Sequence, residues 1–151
     1  MAGSGQEATE PLAALDAVVS DGWEPPPVGS AVEVSVPALA EFLDVVRTAT
    51  AGLAARLSLS LDDIEDLRSI VNDACTLVLS LPRPAQVPAL TCRYEILPDA
   101  LAIRVATTVN DGAQLPARQS FTWRMLTTHA TGVTGAVDGD QAWIELRKPL
   151  R

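Results

Sequence analysis

The chain has 151 residues, is 48% apolar, and sets 19 acidic against 11 basic side chains for a formal net charge of −8. That length suits one domain with its own core, and the apolar content argues against a disordered chain. The acidic balance disfavours nucleic acid as a direct ligand, since phosphate binding needs clustered Lys and Arg; it suits a basic protein partner and, equally, is a common route to solubility.

No apolar run is long enough to span a bilayer, and the opening MAGSGQEATE has neither the basic nor the apolar part of a signal peptide. A cytoplasmic protein without membrane contact is expected. Residues 1–31 contain GSG, DG and WEPPPVGS, which is turn punctuation without a sustained period, and read as a flexible tail. Within it PLAALDAVV is a marginal amphipathic helix, and Trp23 is a candidate anchor onto the domain or a partner. Residues 32–151 read as the folded domain.

AVEVSV alternates as a strand with Val32, Val34 and Val36 on one face. Pro37 then suits the first turn of a helix running through ALAEFLDVVRTATAGLAARL, with Leu39, Phe42, Leu43, Val46, Ala49 and Leu53 apolar and Glu41, Asp44, Arg47 and Thr48 polar. SLDD opens the next helix. Ser60 caps it with Asp63 three residues on, and Asp62 and Asp63 suit the positive end of its dipole. Its apolar stripe is Ile64, Leu67, Val71, Ala74, Val78 and Leu81, and PRPAQVP stops it.

The second half is mostly extended. ALTCRYEIL and ALAIRVATTV are joined by PDA as a hairpin; NDGAQLPARQS is a loop. FTWRMLTTHA is a short helix with Phe121, Met125 and Leu126 turned to the sheet, and TGVTGAV, DGD and AWIELRKPL make a closing hairpin. This order predicts an α+β two-layer sandwich, with three helices on one face of a mostly antiparallel sheet.

Isolated catalytic signals are sparse. Cys75 and Cys92 lack metal-type spacing and read as buried apolar residues. His129 is the sole histidine, no Ser or Cys has an elbow-like context, and the pairs Asp62–Asp63 and Glu65–Asp66 suit a helix start and a solvated face.

Four segments, in this order and spacing, carry a family likeness: VPALAEFLDVVR, SLDDIEDLRSIVNDACTLVL, FTWRMLTTHATGVTGAV and QAWIELRKP. Over roughly residues 31–150 the chain resembles the RsbW-type anti-sigma factor serine kinases, members of the GHKL (Bergerat-fold) ATPases. The family's N-box places Glu and Asn one turn apart on a helix, the acid as base and the amide as a holder of magnesium on the phosphates. Asp73 falls at the acid position and Leu77 at the amide position, while the neighbouring Asn72 is turned about 100° from Asp73. Where the family has D-x-G-x-G, Thr107 or Thr108 stands at the Asp; Asp111 and Gly112 are either a displaced remnant or an ordinary turn. Where its later G-x-G is expected, QSFTWRML places Phe121 and Trp123.

The resemblance implies an anti-sigma factor that sequesters an alternative sigma factor and is released by an anti-anti-sigma antagonist. It implies a homodimer as well. Arg47 on the first helix would make the main sigma contact, with Asp44 and Glu41 answering basic sigma residues. Leu77 cannot ligate a hard cation, so no catalytic residue and no cofactor are expected. The alternative is an active ATP- and magnesium-dependent serine kinase acting on the antagonist, with Asp73 as catalytic base and Asp73, Asp111 and Gly112 at the nucleotide. A regulatory adaptor with another client is a third reading.

Overall fold

The structure is a computed structural model that describes residues 26–150. The helix expected in PLAALDAVV and the anchor at Trp23 lie outside the described residues. Pro27–Ser30 form a turn tied to the domain: Ser30 N–H donates to Pro27, and Gly29 N–H to Ile96 O at 2.7 Å.

Five strands form one sheet in the order β1-β2-β3-β5-β4, each neighbouring pair antiparallel. They are β1 (Ala31–Pro37), β2 (Ala89–Ile96), β3 (Ala100–Thr108), β4 (Thr131–Asp138) and β5 (Gln141–Pro149). Helices α1 (Leu43–Arg56), α2 (Leu61–Leu79) and α3 (Phe121–His129) complete the α+β sandwich that the element order predicts. Strict alternation builds the core: Leu90, Cys92, Tyr94 and Ile96 of β2, Leu101, Ile103 and Val105 of β3, and Ala142, Ile144 and Leu146 of β5 are buried. The opposite face carries a charged row set by register, Glu33 beside Arg93, Arg93 beside Arg104, and Arg104 beside Glu145. On edge strand β1 only Val36 is fully buried, because burial fades along it to an exposed Val32.

Helix α2 is the centre of the helical layer, touching α1, α3, β3 and β5. Neighbours on three sides explain why Ile70, Cys75 and Leu77 are buried beside the predicted stripe. Ser60 caps α2 as expected, its Oγ accepting from Asp63 N–H at 3.1 Å. Asp63 also lies 3.4 Å from Lys148 Nζ, pinning the start of α2 to β5.

Two segments differ from the sequence expectation. Pro37 ends β1 instead of opening a helix, because Ala38 is buried and its N–H donates to Pro88 O at 2.9 Å, keeping the chain extended. A 3-10 turn at Ala40–Phe42 then leads into α1. In α3 the buried faces are Trp123 and Leu126, while Phe121 is 76% exposed. The indole decides this: Trp123 Nε1–H donates to Pro116 O at 2.6 Å, so its polar atom is satisfied inside. Gly135 of β4 makes room for it. A Cβ there would stand 2.9 Å from Trp143 O and 3.1 Å from the Trp123 ring.

Between α1 and α2 the chain reverses at Ser58, a non-glycine residue at φ +60°. Ser58 N–H donates to Ala55 O and Leu59 N–H to Ala54 O, the paired bonds of a Schellman ending.

Candidate functional site

The site grows from the facing surfaces of α1, α2 and α3. Arg47 sits one turn into α1, half-buried, with its fork spread over two helices: Nη1 donates to Asn72 Oδ1 on α2 at 2.6 Å, and Nη2 to the carboxylate of Asp44 one turn earlier. Asp44 is exposed, and the pair is therefore a modest contributor to stability. Glu41, in the 3-10 turn, is also exposed.

Arg47, Glu65, Arg68, Ser69, Asn72 and Asp73 line one cleft of about 220 Å³. Arg68 Nη1 donates to Glu65 Oε1 at 2.8 Å, while its Nε is buried with no partner among the described residues. A buried donor without an acceptor is costly.

Asp73 borders that cleft and a second one of about 220 Å³, which it lines with Thr76, Phe121, Thr122 and Met125. Burial pushes the Asp73 carboxyl above its ordinary range, against the opposing pull of His129 and of the Asn72 side chain. Leu77 lies one turn on from Asp73 along α2, only 2% exposed and part of the hydrophobic core. Leu77 lines neither of the two clefts beside Asp73.

The glycine-box positions fall elsewhere. Thr107 is buried, its hydroxyl donating to Ala89 O at 2.9 Å, and Thr108 accepts from Gln141 Nε2 at 2.8 Å. Both are used up in holding strands together. Asp111 and Gly112 form an exposed turn after β3, with Gly112 at φ +83° and open space where its Cβ would be. Neither lines either cleft beside Asp73. At the start of α3, Ser120 caps through Trp123 N–H at 3.4 Å, and Phe121 stands out over the second cleft. The structure thus gathers Arg47, Asp44 and Asp73 around α1–α2 and leaves Asp111 and Gly112 apart.

Two residues of this cluster escape sequence reasoning, Asn72 and Arg68. The 100° turn that sets Asn72 away from Asp73 is what faces it to Arg47 across the helix pair. Arg68 had one available signal, its spacing one turn before Asn72 on the same stripe of α2.

Behind the site, Thr50 Oγ1 donates to Val46 O at 2.7 Å and lies 2.6 Å from Tyr94 Oη, joining α1 to β2. Burial pushes the Tyr94 hydroxyl far up, so it stays protonated and available to this bond. The Sγ atoms of Cys75 and Cys92 lie 3.8 Å apart as buried free thiols between α2 and β2.

No family model matches the chain. Among known proteins it is similar to serine-protein kinase RsbW of Bacillus cereus (strain ATCC 10987 / NRS 248), 33% identical over 75 residues, which is 50% of this chain and 47% of the relative. The same protein of Bacillus mycoides (strain KBAB4) and of Bacillus cereus (strain B4264) is 32% identical over 75 residues, with the same coverage. The chain spans about half the length of the curated relatives it matches. No helix of the described residues is long and apolar enough to cross a membrane. Over half of its length the chain is similar to proteins named serine-protein kinase RsbW, and its α+β fold is consistent with the GHKL architecture of the RsbW type.

Proposed function

We propose that this protein is an anti-sigma factor that sequesters an alternative sigma factor, is released by an anti-anti-sigma antagonist, and no longer transfers phosphate. The observation that carries the reading is Leu77, buried one turn after Asp73 where the family holds magnesium with an amide. Its side chain offers no oxygen, and a hard cation needs oxygen ligands. The start of α3 adds to this, with Phe121 and Trp123 where backbone would have to approach phosphates. The residues present therefore do not fit a magnesium–nucleotide group, and no phosphoryl step is assigned to them.

Sequestration needs a surface instead, and the α1–α2 cluster supplies one. Arg47 is partly exposed and already held by its bond to Asn72, so a sigma carboxylate replacing Asp44 meets a charge-assisted donor at little ordering cost. The exposed Glu41, and Asp44 once a sigma carboxylate has displaced it from Arg47, answer basic sigma residues. A cytoplasmic homodimer that does not touch nucleic acid directly belongs to the same reading.

The active-kinase alternative draws on the names of the relatives and on Asp73, which faces a cleft in the register of the family's base. Titration calorimetry with Mg–ATP, together with capture of the sigma factor encoded nearest the gene, separates the two. Tight sigma capture without nucleotide heat is expected. Arg47→Ala is expected to weaken capture at least about tenfold, the loss of one charged hydrogen-bond pair, and to leave folding nearly unchanged. Micromolar Mg–ATP binding would overturn the proposal in favour of the kinase.

A further inference from the structure

The cleft between Asp73 and Phe121 has chemistry that phosphoryl transfer and sigma capture through Arg47 both leave unused. One wall is the Asp73 carboxylate, which has the Asn72 side chain and His129 as neighbours but no Lys or Arg of the described residues within ion-pair distance. The other is Phe121, a large apolar side chain left 76% exposed at the first position of α3. Thr76, Thr122 and Met125 complete its lining. A carboxylate and a phenyl face across a small cleft are complementary to a flat, weakly hydrated cation, whose plane stacks on the ring while its edge donates to the acid.

The protein builds this arrangement internally elsewhere. Arg104 lies 4.1 Å over the Trp143 ring and 3.3 Å from the Glu145 carboxylate, an aromatic, a guanidinium and an acid in one group. Arg118 lies 4.3 Å over the Trp123 ring. These are the two arginine–aromatic stacks among the described residues, and Arg124, one turn on from Phe121, does not make a third. At Phe121 the ring and the acid are in place and the arginine is missing. The segment before α1 has no basic side chain to supply it, since no Lys, Arg or His precedes Arg47. The charge of −8 draws a cationic ligand toward the molecule as a whole.

We propose that the cleft between Asp73 and Phe121 receives an arginine side chain presented by a partner protein. The inference concerns the chemistry of the cleft and does not depend on which partner presents the arginine. Burial of the Asp73 carboxylate adds to the drive, because an incoming guanidinium restores the partner that desolvation has removed. Arginine is favoured over lysine, since the compact ammonium keeps its water and cannot cover the ring while bonding the acid.

The test is an NMR titration of the full chain with the tripeptide N-acetyl-Gly-Arg-Gly amide, its citrulline analogue, and Mg–ATP. Saturable shifts confined to Asp73, Thr76, Phe121, Thr122 and Met125 are expected with the arginine peptide and not with citrulline, which has the same shape without the charge. Asp73→Asn is expected to weaken binding about tenfold, and Phe121→Ala several-fold. Phe121→Leu, which keeps apolar contact without a π face, should behave like Phe121→Ala. Equal binding of citrulline, or unchanged affinity in Asp73→Asn, overturns the inference. No saturable shift with any ligand overturns it while leaving the non-nucleotide reading standing. Shifts with Mg–ATP at these residues overturn both.

Discussion

Leu77→Asn would place at residue 77 the amide that the N-box resemblance implies there, and it tests whether that position belongs to the cleft or to the core. Leu77 is 2% exposed on α2, in the cluster formed with β3 and α3. Removing its isobutyl group forfeits about 1.5–3 kcal/mol of apolar burial. The amide that replaces it meets no spare polar group, since the only buried side-chain atom lacking a partner among the described residues is Arg68 Nε on the α1-facing side. An unmatched buried amide costs about 1–3 kcal/mol more. The expected loss is therefore about 2.5–6 kcal/mol, a large part of the roughly 5–15 kcal/mol that stabilises a domain. Urea unfolding followed by circular dichroism reads it as a fall in midpoint at constant slope. Leu77→Ala, expected to cost about 2–5 kcal/mol, calibrates the cavity part alone. A loss below about 1 kcal/mol, or a gain of Mg–ATP binding by the Asn variant, would refute the placement of residue 77 in the core.

Ser58→Gly relieves a left-handed residue at the end of α1; the gain is expected to be about 0.5–1 kcal/mol after the greater freedom of glycine in the unfolded chain is subtracted, a rise of a few degrees in Tm. Asp73 binds its proton more tightly folded than unfolded, so its ionisation opposes folding as pH rises above the unfolded carboxyl range near 3.8. Asp73→Asn should then gain on the parent chain between pH 3 and pH 7, and a variant that falls behind over that range would show the carboxylate to be paired. Cys75 is held protonated by its bond to Cys92 and by burial, so both thiols should resist Ellman's reagent in the native protein and react fully in denaturant; fast native labelling would contradict the packing of α2 on β2.

Patterns with a short period were legible without coordinates. The alternation in ALTCRYEIL and ALAIRVATTV sets which side chains enter the core, because a strand sends successive residues to opposite faces. Ser60 announces the start of α2, since a hydroxyl before an apolar run has few better uses than the free N–H groups of the first turn. The spacing of Asp73 and Leu77 set out the functional question in the same way.

What depends on neighbours distant in the chain was not legible. Phe121 and Trp123 are interchangeable apolar signals in one dimension; only the Pro116 carbonyl, reached by the indole N–H, and the gap over Gly135 decide that the tryptophan goes in and the phenylalanine stays out. Asn72 reads as off-register from Asp73, yet the crossing of α1 and α2 makes it the partner of Arg47. The element types and the caps thus follow from local periodicity and steric rules alone. The cluster around Arg47 and the open acid-and-ring cleft at Asp73 exist only once three helices share one face of the sheet, because each takes its walls from segments tens of residues apart.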